Sequence, residues 1–409
     1  MAPKGETVPV PHMPSGDQSG FMSRMATKAK DTEAHKNTVD SYAQFWDADH
    51  KNLANTEESI ANRREKYAQL TNHYYDLVTD FYEYGMTDPV PDLYNHLRSK
   101  RDEAGWGQSF HFARMFQGDT FVQAIARHEQ YLAARLGLKP GMTAIDIGCG
   151  VGGPMREVIR CTGANVIGLN NNAYQVERAN KLNKSMKLEG YGKAIKGDFM
   201  KMPFPDAHVD AAYAFEACVH APRLEGVYSE VFRVLKPGGY FANYEWATTA
   251  KYDENNLVQK KIINEIEEGD SLPKLYTIEQ VKAAIRSVGF ELIDCQDFAD
   301  PDAPMSSGQE PWYSPLQGSY SLQMDQLYRW RMNPVGRIMT SIFTWFMELV
   351  RLAPPGTCKV SLLLNLAAAA LVKGGEEHLF TPMFFFLARK PETPAAGGGR
   401  QRATNGASH

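Results

Sequence analysis

The residues most able to do chemistry begin with a glycine run, Gly148-Cys149-Gly150-Val151-Gly152-Gly153, set between a short apolar segment and a helix-like one. Glycine at such a turn lets the backbone take positive φ and lets a ligand approach without a Cβ in the way. The first, second and fourth glycines satisfy G-x-G-x-x-G, so a dinucleotide site and a plain glycine-rich turn both have to be weighed. A nicotinamide site wants an Asp or Glu near the end of the second strand for the ribose hydroxyls. That place holds Asn170-Asn171-Asn172, with Gln175 just beyond. Carboxylates stand elsewhere: Asp146 inside the first strand and Asp198, followed by Phe199, after the third.

These positions need elements to hold them. Residues 143–147 read as a strand running into the glycines, with a helix to about residue 161. A strand over 165–169, a helix over 173–188, a strand over 193–196, a strand over 209–215 and a fifth strand over 240–245 follow. The helix before that last strand closes at Lys236-Pro237-Gly238-Gly239. Alternating strands and helices with short connections predict right-handed crossovers and a parallel sheet covered on both faces. Upstream, Ile60, Tyr67, Leu70, Tyr74, Leu77, Val78 and Phe81 recur at helical spacing over residues 57–84, and a second helix is expected over 122–136. Downstream of about residue 301 the pattern becomes aromatic-rich helix (338–352) and a strand over 383–388.

Composition narrows the class. The chain has 409 residues, 43% hydrophobic and 22% charged, with a formal net charge of -4. This excludes a wholly disordered or collagen-like chain, and no general basic field exists to hold nucleic acid. Five scattered cysteines without a C-x-x-C pair argue against a disulfide framework and a structural zinc site, so no metal is expected. No secretory signal is legible at the N-terminus, and residues 360–372, interrupted by Ser361 and Asn365, are too short to span a bilayer.

With Asp146 before the glycines, Asp198 after the third strand and the Lys-Pro-Gly-Gly turn, the middle of the chain resembles the S-adenosylmethionine methyltransferases. In that superfamily one carboxylate lies near the methionyl amine and one near the adenine amine. Longer motifs narrow the family. Gly168 to Val176, Gly197 to Asp206, Phe215 to Pro222, Tyr244-Glu245-Trp246, Trp106 to Phe112 and Phe380 to Arg389 closely resemble the sterol C-24 methyltransferases, in order, from about residue 40 to 391. The C-terminal stretch is most similar to the plant and green-algal branch, whose acceptor is usually cycloartenol. The resemblance implies a Rossmann-like class I methyltransferase fold: a seven-stranded, mostly parallel sheet with helices on both faces, an N-terminal helical segment and a C-terminal sterol methyltransferase region. It also implies S-adenosylmethionine as cofactor, bound by Asp146, Gly148, Cys149, Gly150, Gly152, Gly153, Asn170, Asn171, Gln175, Asp198, Phe199 and Glu216. The residue segments then read as a disordered tail (1–39), an N-terminal sterol cover (40–121), a catalytic domain (122–300), a C-terminal domain (301–390) and a second disordered tail (391–409).

The implied reaction makes its own demands. An isolated alkene attacks the sulfonium methyl without a base, and positive charge then develops at C-25 of the sterol side chain. A hydride shift and loss of a proton would give a 24-methylene sterol. A tertiary cation requires that water be excluded and that charge be stabilised without a nucleophile. Aromatic faces suit this, at roughly 0.5–2 kcal/mol each, and Phe81, Tyr82, Tyr84, Trp106, Phe110, Phe112, Tyr213, Phe215, Tyr244 and Trp246 are the candidates, although any one aromatic at helical or strand spacing is more often core. Glu83, Glu216 and Glu245 are candidate bases, with His111 and His220 as relays or positioning groups. Glu216 is favoured because it follows the fourth strand, at the carboxyl edge where open α/β sheets bind ligands; it could instead fix the donor's ammonium.

One departure is large. The family's Tyr82-Glu83-Tyr84-Gly85 and Trp106-Gly107-Gln108-Ser109 segments normally abut, whereas here a polar insert, residues 86–105, separates them. A sterol acceptor implies lipid contact, so the expectation is peripheral membrane association through residues such as Ile338 to Leu352, at the cytosolic face of the endoplasmic reticulum, in a homo-oligomer. Two other readings stay open: a methyltransferase of another lipid or of a small amine, and a sterol-binding protein without turnover.

Overall fold

A computed structural model describes residues 32–46, 55–85, 108–317 and 332–392. Strands β2 (Thr143–Ile147), β3 (Asn165–Asn170), β4 (Gly192–Lys196), β5 (Val209–Phe215) and β6 (Leu235–Thr248) are mutually parallel. With β8 (Glu291–Asp297) and β10 (Phe380–Arg389) they form one sheet in the order β4-β3-β2-β5-β6-β10-β8. The sequence expectation of seven strands covers that path. An eighth strand, β7 (Tyr276–Thr277), pairs with the extended end of β6, and a separate two-stranded ribbon joins β1 (Met115–Phe116) to β9 (Gln309–Glu310).

Chain order reverses between β2 and β5, so their carboxyl ends open a crevice where ligands bind doubly wound sheets. The strands are nearly all apolar because both faces are covered. On one face Ala144, Tyr213, Tyr244 and Phe385 pack against the Phe121–Arg135 and Gly153–Thr162 helices. On the other, Ile145, Ala212, Phe241 and Phe386 meet the Leu224–Val234 and Ile278–Ser287 helices. β10 lies antiparallel between β6 and β8. The segment read as a separate C-terminal domain therefore completes the sheet, and a boundary at residue 300 divides one hydrophobic core.

Local signals fix several element ends. Thr120 and Gln123 form a capping box at the Phe121–Arg135 helix, and Asn172 caps Ala173–Ser185 through its bond from the Gln175 N–H. That helix stops short of the expected residue 188, where Lys187 turns to φ 57°. The single helix expected over residues 57–84 is two, Glu57–Glu65 and Tyr67–Gly85. They break at Lys66, whose N–H closes the first helix on Asn62 O. A helix over Thr32–Gln44 begins inside the span read as a disordered tail. Its Val39 and Tyr42 are buried against the Tyr67–Gly85 helix, which is what holds those residues in order. The insert at residues 86–105 lies outside the described residues.

Two helices, Pro334–Leu349 and Thr357–Glu376, precede β10 in the C-terminal region. The second is 20 residues long and, by length and composition, apolar enough to cross a membrane, which corrects the shorter run expected from the sequence. In the fold it packs on the Leu257–Gly269 and Pro334–Leu349 helices, burying Val360, Ala367, Ala370 and Leu371.

Candidate active site

The glycine run turns from β2 into the Gly153–Thr162 helix through positive φ at Gly148 (75°), Gly150 (52°) and Gly152 (83°). Two of these glycines are irreplaceable for close approach. A Cβ on Gly148 would lie 2.4 Å from Ala217 Cβ, and one on Gly153 would lie 2.1 Å from Gln108 O. A Cβ on Gly150 would meet only Phe110, at 3.8 Å. The loop is thus pinned behind, against the residue that follows Glu216, and open in front toward Phe110. Arg156 reinforces it, donating from Nη1 to Val151 O at 2.9 Å and from Nη2 to Gln108 Oε1 at 2.6 Å. Cys149 turns its thiol into the core beneath Gly168.

Asp146 sits inside β2 opposite Tyr213, almost wholly buried. Burial, aided by the nearby Glu129, pushes its carboxyl up to about 8, and its Oδ2 has no partner among the described residues. Such an orphaned oxygen beside a glycine cradle fits a ligand that brings an ammonium. At the second strand's end Asn170 donates to Gln175 Oε1 at 2.7 Å, and Asn171 reaches Ala68 O at 3.3 Å. Asp198 accepts the Tyr67 hydroxyl while Phe199 stacks on the Tyr67 ring, centroids 6.0 Å apart. These residues fit S-adenosylmethionine: glycines for close approach, an orphan acid for the amine, and an acid-plus-aromatic pair for the adenine. Tyr67 is the partner that sequence reasoning missed. Its spacing marked it only as one member of an apolar helix face.

Beyond the loop lies a cavity that encloses about 1180 Å³ when the open space at its mouth is counted with it. Its walls are mainly apolar and aromatic: Phe81, Tyr82, Phe110, Phe112, Val219, Trp246, Leu272, Leu364, Ala368 and Leu371 among them. Of the aromatics expected here, Phe81, Tyr82, Phe110, Phe112 and Trp246 line it, joined by Tyr74 and Tyr75. Tyr213, Phe215 and Tyr244 do not. They are buried in the core beneath, where Tyr244 stacks on His128 (3.7 Å) and Phe215 on His111 (4.8 Å). Trp106 and the side chain of Tyr84 lie outside the described residues.

The carboxylates separate in the same way. Glu216 lines the cavity, with φ 56° placing a non-glycine residue in the left-handed region at the end of β5. Its Oε1 accepts the Phe112 N–H and its Oε2 the Trp246 Nε1–H, each at 2.7 Å. Burial raises its pKa well above the usual carboxylate range against the pull of those two donors. Glu245 faces away. Side chains alternate along β6, so Tyr244 and Trp246 share one face while Glu245 turns to Tyr228 and Asn243 beneath the other. Glu83 is also absent from the wall, because Arg178 holds it at 2.7 and 3.0 Å. Both were expected as bases, and neither touches the cavity.

His220 stands at the wall with Nδ1 3.2 Å from Ser271 O and Nε2 3.1 Å from the Tyr75 hydroxyl. Burial lowers its pKa to about 4, so at neutral pH it is a neutral imidazole that donates from Nδ1 and accepts from Tyr75. His111 also lines the cavity but is committed to Glu129 and Phe112 O. Asp270 is a wall residue as well. Its Oδ2 is buried without a partner among the described residues, and burial lifts its pKa to about 8.

The fold and the glycine-loop site define a class I, S-adenosylmethionine-dependent methyltransferase. Residues 145–243 match the methyltransferase domain family, and residues 327–392 match the sterol methyltransferase C-terminal family. The mycolic acid cyclopropane synthase CmaA1, solved with SAH and CTAB, superposes with a TM-score of 0.58 at 17% identity, over 79% of this chain and 98% of that one. The cyclopropane synthase MmaA2 from Mycobacterium tuberculosis superposes at 0.56 and 19% identity, over 78% and 99%. At these identities the likeness is one of fold. Sequence relatives are nearer. The sterol 24-C-methyltransferase of Aspergillus fumigatus is 46% identical over 90% of this chain and 91% of its own length, and that of Saccharomyces cerevisiae 44% over 92% of each. The Schizosaccharomyces pombe enzyme is 43% identical over 90% and 92%. The chain belongs to the sterol 24-C-methyltransferase family.

Proposed function

We propose that the protein methylates C-24 of a sterol side-chain alkene in the cavity beside the glycine loop, and that Glu216 takes the final proton. When bound, S-adenosylmethionine supplies an electrophilic methyl group. The chain's residues do the rest. Phe110 separates the Gly150 backbone from the cavity by one ring, so donor and acceptor sites share a wall. Aromatic faces at Tyr75, Tyr82, Phe112 and Trp246 stabilise the C-25 cation while excluding water. Phe112 N–H and Trp246 Nε1–H hold the Glu216 carboxylate so that its remaining lone pairs face the cavity.

The observation that carries this reading is the placement of Glu216 alone. Of the three carboxylates expected as bases, it is the one on the wall, and its neighbour Ala217 touches Gly148. Replacing Glu216→Gln leaves donor affinity within a few-fold in calorimetry and lowers turnover by about 10²–10⁴-fold. Turnover at the wild-type rate would remove it from the mechanism.

The acceptor in this reading is cycloartenol and the product 24-methylenecycloartanol, supported by the resemblance of the C-terminal stretch. A sterol panel read by mass spectrometry, with zymosterol and lanosterol as competitors, tests that choice. The protein is further proposed to sit on the cytosolic face of the endoplasmic reticulum. Supporting this, Val335, Ile338, Met339, Ile342, Trp345, Phe346 and Leu349 form an exposed apolar face on the Pro334–Leu349 helix, whose inner face supplies Arg337 and Thr340 to the cavity wall. A water-insoluble acceptor then passes from lipid to cavity along one element.

A further inference from the structure

The cavity-facing side of the Thr357–Glu376 helix changes character along its length. Ser361, Asn365, Ala368 and Leu371 recur every three or four residues on the wall and span about 15 Å of helix at 1.5 Å per residue. Leu371 lies toward the reacting end. One turn on, Gly375 is packed against Trp312, and Trp312 meets Phe112, the residue whose N–H holds Glu216, at 4.8 Å. Ser361 and Asn365 lie at the opposite end of the stripe. There Ser341 Oγ, on the neighbouring helix, is 2.8 Å from Ser361 Oγ and accepts Asn365 Nδ2 at 2.8 Å. Asn365 Nδ2 is thereby committed, while its Oδ1 accepts no hydrogen bond among the described residues. Thr340 Oγ1 donates to Gly336 O at 2.9 Å, which leaves its lone pairs for an incoming donor.

We propose that Asn365, with Ser361 and Thr340, forms the subsite for the ring hydroxyl of the acceptor. The inference rests on the reading that this cavity holds a sterol. In a sterol the ring hydroxyl and the side-chain alkene occupy opposite ends, as the polar cluster and Glu216 do in the cavity. Ser341 gives its own proton to Arg337 O at 3.1 Å, so Ser361 donates to Ser341, and an incoming hydroxyl finds acceptors in Asn365 Oδ1 and the Ser361 and Thr340 oxygens. Ser361 is buried and Asn365 and Thr340 are half-buried in a mainly apolar wall, where a polar group gains from a hydrogen-bonding partner. A site built to bond a hydroxyl also rejects an analogue that lacks it.

The experiment compares a side-chain-unsaturated sterol with its 3-deoxy and 3-methoxy analogues in detergent micelles. The wild-type enzyme is expected to prefer the hydroxylated sterol in kcat/KM. Asn365→Leu and Ser361→Ala lower kcat/KM for the hydroxylated sterol by about tenfold, mostly through KM, and leave the 3-deoxy analogue unchanged, so that the preference collapses. Thr340→Val, a smaller change on the other helix, is read in the same ratio in case the Asn365 variant fails to fold. Equal losses on both substrates would assign these residues to packing and overturn the subsite, as would a wild-type enzyme indifferent to the hydroxyl. A wild-type enzyme that methylates no sterol overturns the underlying function as well.

Discussion

Glu216 holds its carboxylate on the cavity wall at the cost of a left-handed backbone, anchored by its N–H to Tyr244 O at 2.8 Å. Strain of that kind, of order 1–3 kcal/mol, persists where the surroundings over-determine it. At the same scale, Asp270 carries a pH signature. Its folded pKa, about 8, is raised by burial above the ordinary Asp value near 3.9. The native state therefore keeps the proton across that interval. The stability this confers is full below about pH 4 and lost as pH rises through about 8. Asp270→Asn removes the titration and should stabilise the protein at pH 8.5 by a few kcal/mol, with little effect at pH 4.5, because each tenfold change in proton affinity is worth about 1.4 kcal/mol. Thermal unfolding at both pH values is the check, and parallel pH profiles for both proteins would refute the assignment. Glu216, His220, Phe110 and Phe112, singled out in the sequence, all line the cavity. Glu83 and Glu245 were not placed correctly, because motif membership does not say which way a side chain points.

The Tyr67–Gly85 helix is the element that joins the two half-sites. One side supplies Tyr74, Tyr75, Phe81 and Tyr82 to the cavity. Other turns clamp the donor half: Tyr67 to Asp198, Thr79 to Gln175 Nε2 at 3.0 Å, Asp80 to Tyr174 at 2.8 Å, and Glu83 to Arg178. Periodicity predicted helix here and its apolar face, but not what the polar face touches. The Glu83–Arg178 pair is nearly buried, with carboxylate and guanidinium side chains 4% and 13% exposed. Removing one partner of such a pair strands the other charge. Glu83→Gln is expected to cost about 3 kcal/mol in denaturant unfolding, with kcat per folded molecule close to wild type. A turnover loss comparable to that of Glu216→Gln at unchanged stability would restore Glu83 as a catalytic base.

Across the whole molecule, the sheet depends on distant parts of the chain: β10 arrives from the C-terminal region and closes between β6 and β8. Its Phe384, Phe385 and Phe386 pack alternately on the two faces, so the cover helices and the catalytic core form one body. The exposed apolar face of the Pro334–Leu349 helix is the surface through which that body is proposed to meet lipid. Flotation with anionic vesicles is expected to carry the wild-type protein upward, and the double substitution Ile342→Glu with Trp345→Glu should abolish flotation while donor binding persists. Wild-type protein that stays with the soluble fraction, or that buries this face in a stable oligomer by size-exclusion and scattering, would contradict the lipid assignment.

Strand–helix alternation, the glycine loop with its flanking acids, and the family were all readable from the amino-acid order, because they depend on local spacing and on residue types that the backbone itself requires. Tertiary packing settled which carboxylate reaches the cavity, that Tyr67 bonds Asp198, and that a polar pair in an apolar helix faces the cavity. Those outcomes follow from how distant elements pack and which way each strand residue faces, and neither is encoded in the spacing of any one segment.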